Sequence, residues 1–341
     1  MTAATRRELQ AVAITLLVSI AFGSALMLLV GKSPASVWWL MITRTIGEPH
    51  ALGQVLYKAS ALVFTGLAVS VALDAGLFNI GGEAQLTAGV LACSVVGAAL
   101  PDTTPAVVAL TLCIAAAAAG GGAIGFVIGV LRATRGAHEV ITSIMLNAIV
   151  AGLALALGNS WLFRGGTTRG APIATGAELP LLGLGGSSAS AALFIALAAI
   201  GVVWWLRART TWGQSLRAVG RDPEAARSVG ISVARVQTLS MTGAGALAGL
   251  AATTFVLGHK HAFEEGLGRG TGFLGIAVAL LGREHPAGAG LAALVLGFLS
   301  SGGLEVGDVI PKELTEMLLG IVVVAAACSA AWVRRRRGEG A

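Results

Sequence analysis

The chain has 341 residues, of which 55% are hydrophobic and only 12% are charged, and its mean hydropathy is +0.83. Because soluble domains carry about a quarter charged residues, this composition excludes an ordinary soluble protein and indicates an integral membrane protein. The net charge of +6 does not point to nucleic acid, since the basic residues cluster at the ends of apolar segments, as membrane topology signals do.

Cysteine and glycine usage narrows the class further. The three cysteines, Cys93, Cys113 and Cys328, each stand alone in an apolar stretch, so we expect neither a metal site nor a disulfide. The 48 glycines suit helices that pack closely in lipid. One apolar run carries glycines four residues apart, at Gly121, Gly125 and Gly129.

Apolar stretches of roughly 20 residues, the length that crosses a bilayer, recur along the chain. The first follows Arg6 and Arg7 and exceeds the roughly 7 to 15 residues of a cleavable signal core, which favours an uncleaved span. Between the first two stretches, Trp38 and Trp39 lie among polar residues, which indicates a short interfacial helix. We predict an all-α polytopic protein with ten transmembrane or re-entrant helices, at 9–30, 51–73, 81–100, 105–131, 138–158, 188–206, 232–257, 272–282, 286–303 and 313–333.

The distribution of basic residues predicts the orientation of these helices. Connecting them in order places 15 of the 23 lysines and arginines on the side that holds both termini. Loops rich in Lys and Arg stay cytoplasmic, so we expect both termini in the cytoplasm. The basic tail, Arg334 to Arg337, would then meet anionic lipid. Lys32, Arg44, Lys58, Arg164, Arg169, Lys260, Arg269 and Lys312 fall on the outer side.

The segment 74–85 places amides, carboxylates and glycines between two long apolar runs. Ionisable groups beside hydrocarbon are tolerated mainly where they face protein or water and serve a pathway, and glycine permits unusual backbone conformations. We interpret the segment as a broken helix near the cytoplasmic end of a transport protein. Asn79, Glu83 and Gln85 either line the pathway or hold the break through hydrogen bonds to backbone groups. Asn147, in the fifth predicted helix, either binds solute or bridges two helices.

A faint internal repeat links the second and seventh predicted helices. The run 65–68 is similar to the run 242–245, and Gly82 follows Gly76-Leu77 as Gly272 follows Gly266-Leu267. The two helices run in opposite directions in the predicted topology, so the copies would be inverted, as in many transporters. Chance similarity between helices rich in glycine and alanine is the alternative.

The largest cytoplasmic insertion, 207–235, contains signals for a short helix. Asp222 suits the N-cap, Pro223 the first turn and Gly230 the end. We interpret the helix as a docking element for another protein; a solvated loop anchored by arginines is the alternative. The candidate docking residues are Gly220, Asp222, Pro223, Glu224, Ala225, Ala226, Arg227 and Gly230.

An outer cluster of charged residues comprises His259, Lys260, His261, Glu264 and Glu265. Two histidines at a spacing of two do not share a helix face, so we expect contact with another protein or a solvated loop rather than a metal site. The tripeptide 31–33 ends like a phosphate-binding loop, but Leu26 stands where the leading glycine is required. We therefore predict no nucleotide site on this chain.

Three motifs in order resemble permease subunits of bacterial ABC importers: Phe78–Gln85, His138–Asn147 and Leu216–Ile231. The nucleoside and simple-sugar permeases are the most similar branch, with ribose and branched-chain amino acid permeases more distant. The likeness runs from about Ala51 to Val333, and Ala84 stands where many relatives carry glycine.

The resemblance implies a translocation subunit, not an enzyme, in the cytoplasmic membrane. Its partners would be a second permease, forming a heterodimer, a cytoplasmic ATPase that uses ATP, and an extracytoplasmic binding lipoprotein. The segment 220–230 would correspond to the coupling helix that enters a groove of the ATPase. The chain would divide into 1–50, an outer interfacial part; 51–206 and 236–341, two membrane halves; and 207–235, the coupling loop.

A self-contained secondary transporter or channel is the alternative function. Ion coupling usually needs carboxylates in the middle of the membrane, and the sequence places Asp74 and Glu83 toward one end.

Overall fold

The computed structural model describes residues 3–163 and 167–336. Every predicted helix has a counterpart, which confirms the all-α polytopic fold. The α-helices are α1 (Ala3–Leu29), α2 (Pro34–Gly47), α3 (Pro49–Asp74), α4 (Gly82–Ala99), α5 (Ala106–Arg135), α6 (Glu139–Leu157), α7 (Ala192–Arg209), α8 (Thr211–Arg221), α9 (Pro223–Ser228), α10 (Val233–Gly249), α11 (Thr271–Leu281), α12 (Pro286–Glu305) and α13 (Lys312–Arg336). Arg164 and Arg337, used in the topology prediction, lie outside the described residues.

Several short elements were not predicted. The seventh predicted helix is α10 followed by a π-helical stretch, Thr253–Lys260, and another π-helical turn, Gly158–Leu162, follows α6. The connection between α6 and α7 contains a 3-10 turn, Thr175–Ala177, and strand β1 (Arg169–Pro172), which pairs antiparallel with β2 (Ala262–Glu264).

Among the described residues, eight helical segments are long and apolar enough to cross a membrane, so the chain is a multi-pass membrane protein. The segments are Val12–Leu29, Pro49–Asp74, Gly82–Ala99, Ala106–Arg135, Glu139–Leu162, Ala192–Arg209, Val233–Lys260 and Pro286–Glu305. By contrast, α11 is apolar but has only 11 residues, about 16 Å of helix, and cannot cross alone.

A short helix, α2, is present where the sequence predicted an interfacial one. Trp38 donates a hydrogen bond to Ser24 of α1 over 3.0 Å, while Trp39 is exposed. Arg44 of α2 pairs with Asp308 at 2.7 Å, and this hydrogen bond holds the pKa of Asp308 below its usual value.

Helices α5 and α10 run antiparallel and touch through glycines. A Cβ at Gly121 would lie 2.2 Å from the carbonyl oxygen of Gly245, and one at Gly125 would lie 2.1 Å from that of Met241. Small residues therefore let the two backbones touch, as the spacing of glycines in the sequence predicted.

We expect Gly245→Ala to destabilise the protein, because its new Cβ would lie 2.3 Å from the carbonyl oxygen of Gly121 and force the helices apart. Overpacking of this kind costs about 1–3 kcal/mol. Gly243 lies on the same helix, and a Cβ added there would meet nothing within 4 Å, so Gly243→Ala is a matched control with the same gain in helix propensity. Melting temperatures of the purified protein in detergent should fall only for Gly245→Ala; equal values would contradict this packing.

The two helix units that the sequence repeat linked run in opposite directions. Helix α3 packs antiparallel to α10, and Ser240 donates a hydrogen bond to the Val71 carbonyl over 3.1 Å. Helix α3 leads through residues 75–81 into α4, and the stretch after α10 leads through residues 261–270 into α11. The inverted arrangement thus agrees with the prediction from the repeat.

Candidate translocation and docking sites

Helices α4 and α11 meet at their N-termini. A Cβ at Gly82 would lie 3.1 Å from the carbonyl oxygen of Gly272, and one at Gly272 would lie 2.3 Å from the backbone nitrogen of Glu83. Any side chain at Gly272 would therefore separate the helices. The glycines that the sequence paired as repeat equivalents are in direct contact.

This meeting point lies near the middle of the membrane-spanning bundle. Helix α11 packs along α3, with Gly275 against Thr65, and the turn after α11 reaches the Asp74 end of α3 through Arg207. The helical stretch from Thr65 to Asp74 is about 14 Å long, and α11 continues about 6 Å from Gly275 to its N-terminus, away from Asp74. The N-termini of α4 and α11 therefore lie about 20 Å from the Asp74 end of α3, about halfway along this membrane-spanning helix of 26 residues.

The sequence placed residues 79–85 near the cytoplasmic end of the membrane, and that prediction was wrong. Residues 75–81 are not helical and return from the end of α3 toward the centre of the bundle before α4 begins at Gly82. An extended strand rises about 3.3 Å per residue, more than twice the rise of a helix. The short non-helical segment therefore covers a depth that a helix of the same length would not.

The Glu83 carboxylate connects the two helix N-termini. It belongs to the first turn of α4, and its oxygens accept hydrogen bonds from the backbone N–H groups of Gly270 at 2.7 Å and Gly272 at 3.0 Å. Helix N-termini carry a positive partial charge, so a carboxylate between two of them stabilises both. Of its two predicted roles, Glu83 performs the structural one in this conformation.

Asn79 and Gln85 bind each other. Asn79 donates to Gln85 Oε1 at 2.8 Å, Gln85 donates to Asn79 Oδ1 at 3.0 Å, and the Gly81 N–H also donates to Asn79 Oδ1 at 3.1 Å. Both side chains are fully buried. Their amides therefore hold the non-helical segment against α4, rather than facing an open channel surface.

Asn147 of α6 bridges to the start of α4. Its Oδ1 accepts from the Ala84 N–H at 2.9 Å, and its Nδ2 donates to the Ile80 carbonyl at 3.1 Å. Backbone groups at helix ends need such partners. The geometry thus corresponds to the bridging alternative for Asn147, and the four candidate pathway residues together fix the helix break.

Charged groups join four elements at the C-terminal end of α3. We call this cluster the inner hub (Asp74, Arg207, Arg217 and Glu284). Arg207 of α7 pairs with Asp74 at 2.5 Å and also donates to the Glu284 carbonyl in the turn before α12. Arg217 of α8 donates to the Arg207 carbonyl at 2.6 Å. In the predicted topology, Arg207 and Arg217 were only orientation signals. The sequence clue to an ion pair was an acid, Asp74, and an arginine, Arg207, at the ends of separate spans.

The insertion 207–235 contains two helices, α8 and α9, where the sequence predicted one. Asp222 caps α9 by accepting from the N–H groups of Glu224 at 2.9 Å and Ala225 at 3.0 Å, and Pro223 is its first residue. The predicted start of the helix is therefore present. Gly230 follows in a left-handed conformation, with φ of 84°.

Two predicted docking residues face inward instead. Ala226 is buried in a cluster with Leu216 and Val233, so it anchors α9 to the bundle. A Cβ at Gly220 would lie 2.1 Å from the Asp74 carbonyl, since Gly220 packs on the turn that ends α3. Within the chain, both small residues serve close packing, and their contact with a partner stays a prediction.

The exposed surface of α9 and the residue after it form what we call the docking face (Pro223, Glu224, Ala225, Arg227, Ser228 and Val229). Val229 was not predicted, yet 74% of its surface is exposed.

The outer charged cluster is built on the β1–β2 pair. Lys260 pairs with Glu264 at 3.0 Å, Arg169 donates to the Lys260 carbonyl, and the His259 ring lies 5.1 Å from the Tyr57 ring. Within residues 3–163 and 167–336, no group of three or more His, Cys, Asp or Glu side chains is placed to hold a metal ion.

Comparison with known proteins identifies the family. The family model described as "Branched-chain amino acid transport system / permease component" matches residues 51–327. The chain is 35% identical to the guanosine ABC transporter permease protein NupP of Bacillus subtilis, over 93% of this chain and 92% of that one. It is 31% identical to the nucleoside ABC transporter permease protein NupB of Lactococcus lactis, over 88% and 85% of the two chains. It is 32% identical to the glucose ABC transporter permease protein TsgB13 of Haloferax volcanii, over 95% and 88%.

These similarities agree with the apolar helices and with the two inverted units that meet at mid-depth. The chain therefore belongs to the permease-component family of the branched-chain amino acid transport system, as a membrane-spanning permease subunit of an ABC importer.

Proposed function

We propose that this permease forms one half of the translocation pathway for nucleosides or simple sugars, in the cytoplasmic membrane of a bacterium with both termini inside. The names of its relatives, which specify guanosine, nucleosides and glucose, support this class of solute. In the predicted topology, the side that holds both termini carries an excess of arginine, which supports the placement of both termini in the cytoplasm.

The observation that carries the proposal is the direct connection between the docking face and the helix break. Gly220 packs on Gly76, the left-handed residue that begins the non-helical segment. Arg217 binds the carbonyl of Arg207, and Arg207 in turn binds Asp74. A displacement of α8 and α9 would therefore move the end of α3 and the segment that leads into α4.

In this proposal the driving force comes from a cytoplasmic ATPase that grips the docking face and hydrolyses ATP, while this chain itself binds no cofactor. An extracytoplasmic binding lipoprotein would deliver the solute to the outer surface, where the β1–β2 pair and its charged cluster lie. A second, different permease would complete the pathway. Two guanosine ABC transporter permease proteins of Bacillus subtilis, NupP and NupQ, both match this chain, which supports a pair of unlike permeases.

Asn79, Glu83, Gln85 and Asn147 serve the proposed pathway by holding its central break in one geometry. Each uses its polar atoms on backbone groups or on another of these residues. A non-helical segment within the membrane needs hydrogen-bond partners for its buried polar groups, and these side chains provide them.

We expect Ala225→Arg and Val229→Arg to abolish solute-stimulated ATP hydrolysis by the assembled transporter, because a long charged side chain prevents close contact at the centre of an interface. Losing one such contact costs about 2 kcal/mol or more, roughly 30-fold in affinity. Gln214→Arg is the matched control, since Gln214 is exposed on α8 outside the docking face. Membrane insertion should be normal in all three variants, and normal stimulation in the docking-face variants would refute the assignment.

A further inference from the structure

We propose that Arg269 and Phe273 face the aqueous translocation pathway and contact the transported solute, an inference that rests on the function proposed above. In the predicted topology, Arg269 is one of the basic residues on the outer side. Neither residue belongs to the helix break.

Arg269 lies close to the middle of the membrane-spanning bundle. The residue before it, Gly268, packs on Leu86 of α4, and the residue after it, Gly270, donates its N–H to Glu83. Its Cα is therefore within about one helical turn of the level where α4 begins, which is near mid-depth.

The Arg269 side chain is nevertheless open to its surroundings. It is 77% exposed, and the carboxylate of Glu265 is 4.0 Å away. An arginine at this depth that faced lipid would be very unfavourable, so intramembrane arginines face protein or water-filled cavities. An exposed arginine here indicates water on this side of the chain.

The position of the residue in the fold independently favours the pathway. Arg269 lies in the linker 261–270 of the second inverted unit, immediately before α11 and next to the point where the N-termini of α4 and α11 meet. Transporters built from inverted units bind their solutes near the bilayer midplane at this junction. Both the exposure and the topology therefore assign this surface to the solute pathway rather than to lipid.

The chemistry of the pair suits a neutral ring-shaped solute. Phe273, in the first turn of α11, is 46% exposed and offers an aromatic face on which a base or the apolar face of a sugar ring can stack. The Arg269 guanidinium is a planar donor with five N–H groups and matches the hydroxyl and carbonyl acceptors of such a solute. The pair thus narrows the proposed class to solutes that combine a flat ring with several acceptors.

Thiol labelling of the whole transporter in cells tests whether the surface is wet and on the pathway. Arg269→Cys and Phe273→Cys are made in a Cys328→Ser background, because Cys328 is exposed while Cys93 and Cys113 are buried. A membrane-impermeant cationic methanethiosulfonate is added outside, and Leu17→Cys, exposed near the middle of α1, is the lipid-facing control. We expect both test cysteines to react several times faster than the control, and saturating guanosine to slow the reaction of Phe273→Cys. Labelling rates equal to that of the control, or no effect of guanosine, would overturn the inference. If the second permease buried these residues, their labelling rates would equal that of the control.

Uptake of radiolabelled guanosine by the same assembly separates this inference from the proposed function. Arg269→Gln should lower the initial rate about tenfold, the loss of one charged hydrogen bond, while Lys312→Gln, at an exposed outer position, should leave it unchanged. Unchanged uptake by Arg269→Gln that still requires ATP would refute the role of Arg269 and leave the importer intact. Uptake that needs no ATP would instead refute the importer.

Discussion

Glu83→Gln is expected to lower the free energy of unfolding by about 3 kcal/mol, because the carboxylate makes two charged hydrogen bonds that an amide cannot replace. Its oxygens receive the N–H groups of Gly270 and Gly272, 2.7 Å and 3.0 Å away. A glutamine would turn its own NH₂ group toward one of these donors. The loss is a large fraction of the roughly 5–15 kcal/mol that stabilises a typical folded protein.

The measurement is denaturant or thermal unfolding of the detergent-purified permease, with transport as a second readout. Glu316→Gln is the control, because Glu316 is exposed on α13 and its substitution removes the same charge. Glu83→Asp should also be destabilised, since the shorter side chain reaches both N–H groups poorly. If Glu83→Gln melts with the native protein, the carboxylate does not hold the two helix N-termini together.

The second large effect is expected at the inner hub. Asp74→Asn or Arg207→Gln alone should cost about 3–5 kcal/mol, because each leaves a charge without its partner in a mostly buried place. The two side chains are only 8% and 16% exposed, and they lie 2.5 Å apart. The double variant should cost clearly less than the sum of the single ones.

A double-mutant cycle measures this interaction directly, from the unfolding free energies of the four proteins. A coupling of about 1–3 kcal/mol is typical of residues in direct contact. The same set should lose solute-stimulated ATP hydrolysis, since the pair joins the docking loop to α3. Additive effects on stability, together with normal stimulation in the single variants, would show that the hub neither stabilises nor transmits.

Hydropathy was enough to predict the helices, because a span must be apolar over a bilayer's thickness whatever it packs against. The cap of α9 was equally local: Asp222 and Pro223 fix the start of the helix within a few residues. The glycine spacing in α5 predicted close contact with another helix, although it did not identify α10 as the partner.

Depth and tertiary burial could not be predicted in the same way. The start of α4 was placed too near the cytoplasm because hydropathy does not distinguish a helix from the non-helical residues 75–81, which cover more depth than a helix of the same length. Ala226 and Gly220 were assigned to docking because small residues suit a protein interface and a close intrachain contact equally well. The sequence assigned Arg269 to one side of the membrane but did not predict its depth. Its position near mid-membrane followed only from the contacts of its neighbours Gly268 and Gly270.

Accumulation of labelled guanosine by proteoliposomes is the most direct test of the claim that this permease moves only when a partner ATPase drives it. Vesicles that contain this chain, a second permease, the ATPase and the binding protein should concentrate guanosine only when ATP is supplied to the ATPase. Vesicles that contain this chain alone should show no accumulation, with or without ATP. Concentration of guanosine against its gradient by the chain alone would contradict the account.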